Sequence, residues 1–363
     1  MVHVHGFHSY PARMHPLTAC RLVVALAREG LPVLDPFLGS GTVLVEARLR
    51  GRQAIGVDAN PLAVELAWVK TRGFEDAALD RLVEAGAAVR GHAEERRRAR
   101  AGPSRRYGPE DRDVFAPHVL LELDGLSDGI ALVRDRDARR ALALVLSSLL
   151  TKVARRAGDT SPAAVTKRLP PGRVLHLFSH KLEEVADRLA LYASLLPPGA
   201  PPAAPRAGDA RRLAHVASGS VGLVVSSPPY PGVYDYHAHH ATRLRWLGLA
   251  AERFERDEIG SRRRLARLST TDALAAWERD LGRVLAEISR VLAPEGRAAL
   301  LLGDSALGRQ AVSAADVVAR LAPGAGLALR ACASQERPHF HVQTREAFVR
   351  QPRREHLLLL GHA

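Results

Sequence analysis

The chain has 363 residues, of which 47% are hydrophobic, so it can bury a core of ordinary size. No apolar run approaches about 18 residues, and the first ten residues lack a secretory signal pattern, so we expect a cytoplasmic protein without a membrane span. Cys20 and Cys332 lie far apart and outside any CxxC spacing, which argues against a disulfide framework or a zinc site. The formal net charge of +13 favours a polyanionic partner, above all nucleic acid.

The first part of the chain alternates between predicted strands and helices. LPVLDPF (31–37) predicts a short strand, which the glycine turn LGSG and the helical run TVLVEARLRG follow. QAIGVDAN (53–60) predicts a second strand, and PLAVELAWVKTR a second helix with Pro61 at its start. This order is typical of a parallel, doubly wound α/β sheet.

The middle of the chain has a different character. Long helical stretches such as RDARRALALVLSSLLTKVARR and HKLEEVADRLALYASLL dominate this region, and loop-like pieces at 94–113 and 157–172 interrupt it. LPPGAPPAAP (196–205) predicts a stiff polyproline spacer. We therefore expect a helical, basic insertion that interrupts an α/β domain, with segments 1–74, 75–204 and 205–363.

The α/β pattern returns after the spacer. VGLVV and AALLLGD predict strands, with the helix DALAAWERDLGRVLAEISRVL between them. ADVVARLA predicts a further helix, and EHLLLLGHA the last strand. Directly after VGLVV stands SSPPYP, where two prolines must end the strand because proline cannot donate to a sheet ladder.

The glycine turn and two acids predict a ligand site. Gly39 and Gly41 let the backbone approach a ligand, and the following helix offers amide groups to a carboxylate or phosphate. The turn matches neither a Walker A loop nor GxGxxG. Asp58, at the tip of the second strand, is placed to accept hydrogen bonds from ribose hydroxyls, and Asp209 supplies a further acid.

Three motifs carry a resemblance to a known family. DPFLGSGT (35–42), SPPY (227–230) and FHSYPARMHP (7–16) together resemble the S-adenosylmethionine-dependent amino-methyltransferases, the N4-cytosine and N6-adenine DNA methylase group of restriction-modification systems. The resemblance covers roughly 5–70 and 205–360. It implies a Rossmann-like class I methyltransferase sheet, S-adenosyl-L-methionine as cofactor and methyl transfer to an exocyclic amine of DNA. The serine form of the tetrapeptide favours cytosine N4 over adenine N6.

The resemblance also implies roles for individual residues. Asp58 would bind the ribose, Asp209 the adenine amine, and the methionine end of the cofactor would be lined by Asp35, Phe37, Gly39, Ser40, Gly41 and Thr42. The full set of cofactor-binding residues is Tyr10, Arg13, Asp35, Pro36, Phe37, Gly39, Ser40, Gly41, Thr42, Asp58, Asn60, Asp209 and Ala210. The catalytic residues are Ser227, Pro228, Pro229 and Tyr230.

The chemistry of amine methylation accounts for the tetrapeptide without reference to the family. An exocyclic amine is a poor nucleophile because its lone pair is delocalised into the ring. The Ser227 hydroxyl and the Pro228 carbonyl can accept hydrogen bonds from its two N–H groups, while Tyr230 stacks on the flipped base. Methylation of carbon 5 would need a cysteine nucleophile, and neither Cys20 nor Cys332 follows a proline in a loop.

The predicted partner is DNA, most simply double-stranded. Asp235, Tyr236 and His239 are expected along the nucleic-acid path, and Arg262, Arg263 and Arg264 at phosphates. We expect no metal site, because the histidines at 237, 239 and 240 have no acids beside them. An RNA amino-methyltransferase of the tRNA guanine-N2 type and a non-catalytic nucleic-acid-binding module stay open. So do the oligomeric state and the place of target recognition, in 75–195, in 231–270 or in no separate domain.

Overall fold

The computed structural model describes residues 3–156, 165, 167–339 and 342–363. Proximity of Cα atoms divides the chain into two compact units. The sheet unit comprises Ala12–Thr71, Pro197–His237 and Ala251–Ala363, and the helical unit comprises the residues up to Pro11, Arg72–Leu196 and Ala238–Ala250. No helix in the described ranges is long and apolar enough to cross a membrane.

The described residues of the sheet unit include nine strands. They are β1 (Val33–Asp35), β2 (Ala54–Asp58), β3 (Ala203–Ala207), β4 (Val221–Ser226), β5 (Leu292–Gly303), β6 (Ser305–Leu307), β7 (Gln310–Val312), β8 (Leu327–Glu336) and β9 (Arg354–His362). Seven of them form one sheet in the order β3-β2-β1-β4-β5-β9-β8, while β6 and β7 form a separate antiparallel ribbon. The first five strands of the sheet are parallel, and β9 runs antiparallel to both β5 and β8.

The described helices follow in chain order. They are α1 (Pro16–Leu26), α2 (Thr42–Arg48), α3 (Pro61–Thr71), α4 (Asp76–Arg98), α5 (Pro109–Arg112), α6 (Pro117–Leu132), α7 (Arg136–Val153), α8 (Arg173–Ser194), α9 (Tyr236–Trp246), α10 (Glu252–Asp257), α11 (Arg262–Leu265), α12 (Thr270–Val291), α13 (Ala314–Leu321) and α14 (Val342–Ala347). Helices α4 to α8 belong to the helical unit.

The sheet is buried on both faces. Leu34 of β1 and Val224 of β4 belong to one apolar cluster, whereas their neighbours Val33 and Val225 belong to the other. Successive side chains of a strand point to opposite faces, so each cluster covers one face of the sheet. The larger cluster includes the buried face of α12, centred on Trp277. The predicted doubly wound α/β fold is confirmed.

The helical unit is built on close helix contacts. Added Cβ atoms on Gly125 and Gly129 of α6 would lie only 3.2 and 3.3 Å from atoms of α4. One turn apart, these glycines lie on one face of α6, so the two backbones can approach closely. A Cβ on Gly86 of α4 would overlap Leu182 of α8. Small residues thus set the spacing of this unit.

Two strands of the seven-stranded sheet were missed or misread from the sequence, and the short ribbon strands β6 and β7 were not predicted. The predicted polyproline spacer at 196–205 is wrong in its last part, because residues 203–205 begin β3, where Pro205 lies opposite Gly56 of β2. A proline is tolerated there since β3 is an edge strand. Strand β8 was not predicted, because at the opposite edge most of its side chains are exposed and the apolar alternation is lost.

Two loop predictions also need adjustment. Residues 94–98 of the predicted loop at 94–113 form the last turn of α4, where Glu94 pairs with Arg97 and Arg98. Of the predicted loop at 157–172, residues 157–164 and 166 lie outside the described residues. Helix α8 begins at Arg173, seven residues before the stretch that predicted it. Helix α12 and the last strand, β9, are confirmed.

Candidate active site

The ends of four neighbouring strands bring the predicted site residues to one edge of the sheet. Strand β1 ends at Asp35, β2 ends at Asp58, and Ser227 follows the last residue of β4. Asp209 follows β3 by two residues. These strands are adjacent and parallel, so their carboxyl ends face the same crevice, the usual place for a ligand in such sheets.

The loop between β1 and α2 is held in a tight conformation. Gly39 and Gly41 have φ values of +50° and +79°, which favour glycine. A Cβ on Gly41 would lie 2.8 Å from the Cβ of Ala67, so the loop packs directly against α3. The Gly39 amide donates to Asp58 Oδ2 at 2.7 Å, which ties the loop to the tip of β2.

Two carboxylates at this edge have raised pKa values. Asp35 is buried, and burial raises its pKa to about 7 although the Ser226 hydroxyl and the Phe37 amide donate to it at 2.6 and 3.1 Å. Burial likewise raises the pKa of Asp58 to about 6 against hydrogen bonds from the amides of Gly39 and Asn60. Among the described residues, no arginine, lysine or histidine forms an ion pair with either carboxylate. The two acids therefore form an anionic site that is not neutralised by a side chain of the described protein.

A buried lysine lies behind the loop. Lys70 of α3 is fully buried, and its ammonium donates to the Ser40 carbonyl at 2.9 Å. Burial, together with the positive charge of Arg13, lowers the pKa of Lys70 to about 7. Burial also lowers the pKa of Arg13. Sequence reasoning missed Lys70, although a lysine near the end of the otherwise apolar helix PLAVELAWVKT was a usable signal.

The other predicted cofactor residues serve the loop and the strand ends in different ways. Pro36 and Thr42 are buried in and next to the loop, Phe37 packs against the core, and Asn60 caps α3 through the Leu62 amide. Asp209 forms an ion pair with Arg211 at 2.8 Å, and Ala210 is part of the core. Tyr10 lies in the helical unit, where its ring stacks on His240 at 4.8 Å between centroids.

Contacts with α12 and β9, and a hydrogen bond within the tetrapeptide itself, hold SPPY in place. Trp277 of α12 donates its indole N–H to the Pro229 carbonyl at 3.1 Å. The Tyr230 hydroxyl donates to Glu355 Oε1 at 3.4 Å, and the Ser227 side chain also hydrogen-bonds to it. Burial, with the Glu355 charge, raises the pKa of Tyr230 to about 12, so the phenol stays protonated.

Gly303 makes room for the Tyr230 ring. A Cβ on Gly303 would lie 2.8 Å from Cε2 of Tyr230, so the ring rests on the backbone at the end of β5. The sequence AALLLGD contained this glycine and the adjacent Asp304 at a predicted strand end. The rule that selected Asp58 would have selected Asp304 as well.

A cavity of about 540 Å³ opens beside the tetrapeptide. This volume is within the range of small-molecule sites. Ser227 and Tyr230 line it together with Arg13, Asp304 and Glu355. Further lining residues include Met14, Tyr234, Arg262, Ser305, Thr344 and Arg353. Glu355 could not be found from the sequence, because only the antiparallel pairing of β9 with β5 sets it opposite Gly303.

The residues predicted along the nucleic-acid path have separate surroundings. Asp235 is buried and accepts hydrogen bonds from the Ser261 hydroxyl, the Arg262 guanidinium and the Arg263 amide, so it anchors the start of α11. The Tyr236 amide donates to the buried Glu258, whose pKa burial raises to about 7. Of the other residues predicted along this path, Arg262 and Arg263 are exposed, Arg264 is half-buried, and His239 lies in the helical unit.

Comparison with known proteins agrees with the first part of this site. Residues 3–68 match a family model described as DNA methylase. This confirms the predicted resemblance to DNA methylases. The Type II methyltransferase M.MvaI of Kocuria varians is 37% identical over 83 residues, which are 22% of this chain and 18% of that protein. M2.DpnII of Streptococcus pneumoniae is 45% identical over 47 residues, 13% of this chain and 18% of that protein.

The match to the family model covers the cofactor side alone. The match to the family model ends before Lys70 and does not include the tetrapeptide at 227–230. The chain spans less than a fifth of the length of the curated relatives it matches. Among solved structures, a TehB-like SAM-dependent methyltransferase of Corynebacterium glutamicum aligns with a TM-score of 0.35 and 12% identity, over 97% of this chain and 90% of that one.

Proposed function

We propose that this chain transfers a methyl group from S-adenosyl-L-methionine to an exocyclic amine of a DNA base, with cytosine N4 preferred over adenine N6. One observation carries the proposal. The Ser226 hydroxyl, next to the tetrapeptide, donates to Asp35 at the start of the glycine loop at 2.6 Å. The predicted methyl-donor and methyl-acceptor motifs are therefore neighbours on the adjacent strands β1 and β4.

The residues at the carboxyl edge fit the proposed cofactor. S-adenosylmethionine has a cationic sulfonium, a zwitterionic amino-acid end and a ribose with two hydroxyls, and when bound it supplies an electrophilic methyl group. Asp35 and Asp58 offer negative charge that no described cation neutralises. Arg13, which lines the cavity beside the tetrapeptide, offers positive charge for a carboxylate. The conformations of Gly39 and Gly41 leave the loop backbone free of side chains at the closest approach.

The tetrapeptide would hold the amine that accepts the methyl group. Ser227 and the Pro228 carbonyl accept its two N–H hydrogen bonds, which directs the nitrogen lone pair out of the ring plane. Trp277 fixes the second proline through its carbonyl, so the turn is rigid before the base arrives. As the N–C bond forms, the C–S bond breaks with its electron pair left on sulfur, and the amine loses one proton to solvent.

Tyr230 would receive the flipped base. Its ring lines the cavity and rests on Gly303, while Glu355 holds its hydroxyl. Such a ring offers a stacking surface to any base. Stacking on Tyr230 would therefore not depend on the base, and recognition of the amine would be left to Ser227 and Pro228. The serine in place of an aspartate or asparagine at the first tetrapeptide position supports cytosine N4 as the first choice.

Nucleoside mass spectrometry tests the proposal. DNA and RNA from cells that express the chain are digested and compared with those from cells that express Ser227→Ala. We expect N4-methylcytosine, or N6-methyladenine as the second choice, in DNA with the wild type and its loss with Ser227→Ala, whose cofactor affinity should be unchanged. The matched control, in which Cys20 and Cys332 are both replaced by alanine, should methylate normally. A 5-methylcytosine product, or methylated guanine in RNA alone, would contradict the proposal.

A further inference from the structure

A second cavity of the sheet unit, outside the active site, is rich in arginine. It has a volume of about 470 Å³ and lies between α11 and α12. We call it the arginine cleft, and its charged lining residues are Arg211, Arg264, Arg267, Arg279, Asp280 and Arg283. Arg211 pairs with Asp209 as well as with Asp280, so the excess positive charge of the cleft comes mainly from its other arginines, and this charge attracts anions.

The single carboxylate is already used. Asp280 pairs with Arg211 at 2.8 Å and with Arg264 at 3.7 Å. The other three arginines, Arg267, Arg279 and Arg283, are exposed, and in the described part of the chain no carboxylate lies within ion-pair distance of them. Three guanidinium groups therefore line one cleft with their charge uncompensated.

This arrangement works against helix stability. Arg279 and Arg283 are four residues apart on α12, and like charges at that spacing destabilise a helix. The arginines of the run at 96–98 are different: Arg96 pairs with Asp124 and Asp128, and its two neighbours pair with Glu94. A local conflict without internal compensation is typical of a functional surface.

The cleft is linked to the active site through the short helix α11. Arg262 lines the cavity beside the tetrapeptide, whereas Arg264, two residues later, lines the arginine cleft. Two residues correspond to about 200° around a helix, so the two side chains point to opposite sides of α11. Asp235 fixes this helix through Arg262 and the Arg263 amide. A strand that delivers a base to the cavity would pass the cleft within a few nucleotides.

We propose that the arginine cleft binds the backbone phosphates of the DNA strand that carries the target base. This inference rests on the proposed function, because it assumes that a base enters the neighbouring cavity. Guanidinium groups match phosphate oxygens with paired hydrogen bonds, and each phosphate neutralised releases counterions. The cleft thus supplies affinity that does not depend on sequence, and it fixes the register of the strand at the active site.

The salt dependence of DNA binding tests this proposal. Arg267, Arg279 and Arg283 are replaced together by serine, and the affinity for a duplex is measured over a series of salt concentrations. The slope of log K against log salt should become shallower by about 2–3, since each lost phosphate contact contributes about 0.9. Cofactor affinity by calorimetry should stay at the wild-type value. The matched control replaces Arg21, Arg52 and Arg330, which line neither cavity, and should change the slope by less than one.

The outcomes separate this proposal from the proposed function. A wild type that methylates no DNA contradicts the proposed function. A wild type that methylates DNA while the triple variant keeps its salt slope contradicts the arginine cleft. Titration with inorganic phosphate and pyrophosphate gives a further arm: tight, saturable binding that the triple variant loses, together with an unchanged slope for DNA, would assign the cleft to a small phosphate ligand and overturn the proposal.

Discussion

Two pairs of carboxylates, one pair in each unit, have opposite surroundings. In the helical unit, Asp124 accepts hydrogen bonds from Ser104, Tyr107 and Arg96, and Asp111 accepts them from Arg245 and Trp246. In the sheet unit, Asp35 and Asp58 accept only from a serine hydroxyl and backbone amides among the described contacts. Asp124 and Asp111 each have an arginine partner, whereas Asp35 and Asp58 have no cationic partner among the described residues.

This difference distinguishes carboxylates that stabilise the fold from carboxylates that keep the capacity to bind a ligand. A carboxylate that a guanidinium and several donors surround contributes to folding and has little capacity left for another molecule. A buried carboxylate with no cation costs stability when it ionises, which is why burial raises the pKa values of Asp35 and Asp58. The comparison therefore indicates a role in folding for Asp111 and Asp124, and it supports the binding role that we propose for Asp35 and Asp58.

Removing a structural acid should have the largest effect. Asp124→Ala leaves Arg96, Tyr107 and Ser104 without their buried acceptor, so we expect the free energy of unfolding to fall by about 3–5 kcal/mol. Urea denaturation measures this loss. The control is Asp128→Ala, which removes a half-exposed partner of His92 and Arg96 and should cost about 1 kcal/mol or less. A loss below 1 kcal/mol for Asp124→Ala would break the comparison.

Asp35 should show the opposite behaviour as pH rises. Its folded-state pKa of about 7 exceeds the ordinary value of 3.8, so the folded protein holds this proton more tightly than the unfolded chain. Without cofactor, the wild type should lose stability relative to Asp35→Asn between about pH 4 and pH 7, by about 4 kcal/mol in total. Urea denaturation of both proteins across this range gives the difference. A constant difference would mean that Asp35 is ionised throughout; the exposed Asp76→Asn serves as control.

Cofactor binding should depend on Asp58. Asp58→Ala removes an acceptor for ribose and releases the Gly39 amide, so affinity for S-adenosylmethionine should fall by about 10- to 150-fold, the size of a charge-assisted hydrogen bond. Calorimetry measures the dissociation constant directly. The exposed Asp113→Ala should bind the cofactor as the wild type does. Equal affinities for wild type and Asp58→Ala would remove the second strand tip from the site.

The smallest effect should come from the glycine under Tyr230. Gly303→Ala forces the ring to move, because the new methyl would lie 2.8 Å from Cε2, and such overpacking costs about 1–3 kcal/mol. Turnover should fall while cofactor affinity stays constant. Gly282→Ala on α12 is the control, since no atom lies within 4 Å of its added Cβ and alanine favours a helix. Full turnover of Gly303→Ala would show that the ring position does not matter.

The strands that could be predicted from the sequence are those whose apolar run and functional end residues are adjacent in the sequence. Strands β1, β2 and β4 are apolar runs that end in a glycine turn, an acid or a pair of prolines, so both their presence and their functional ends could be recognised. Strand β3 is masked by its prolines, and β8 by its exposed side chains. Both strands lie at edges of the sheet, where a strand has a neighbour on one side only and the hydrophobic pattern is weakest.

The candidate site shows the same limit. Asp58 could be predicted because it follows a strand in a parallel sheet, and the same rule fits Asp304. Glu355 precedes most of its strand and reaches the site only through antiparallel pairing, which no local pattern reveals. Lys70 depends on the packing of α3 against the loop, a contact that forms only in three dimensions.

Arg48 connects the point at which the chain leaves the sheet unit with the point at which the chain re-enters it. Its buried guanidinium donates to the carbonyl of Thr71, at the exit, and to those of Ala200 and Pro201, at the return. Closing a flexible loop of about 130 residues costs about 4 kcal/mol of chain entropy, and that cost grows only slowly with length. A segment inserted at such a closed stem can lengthen or shorten with little penalty to the sheet.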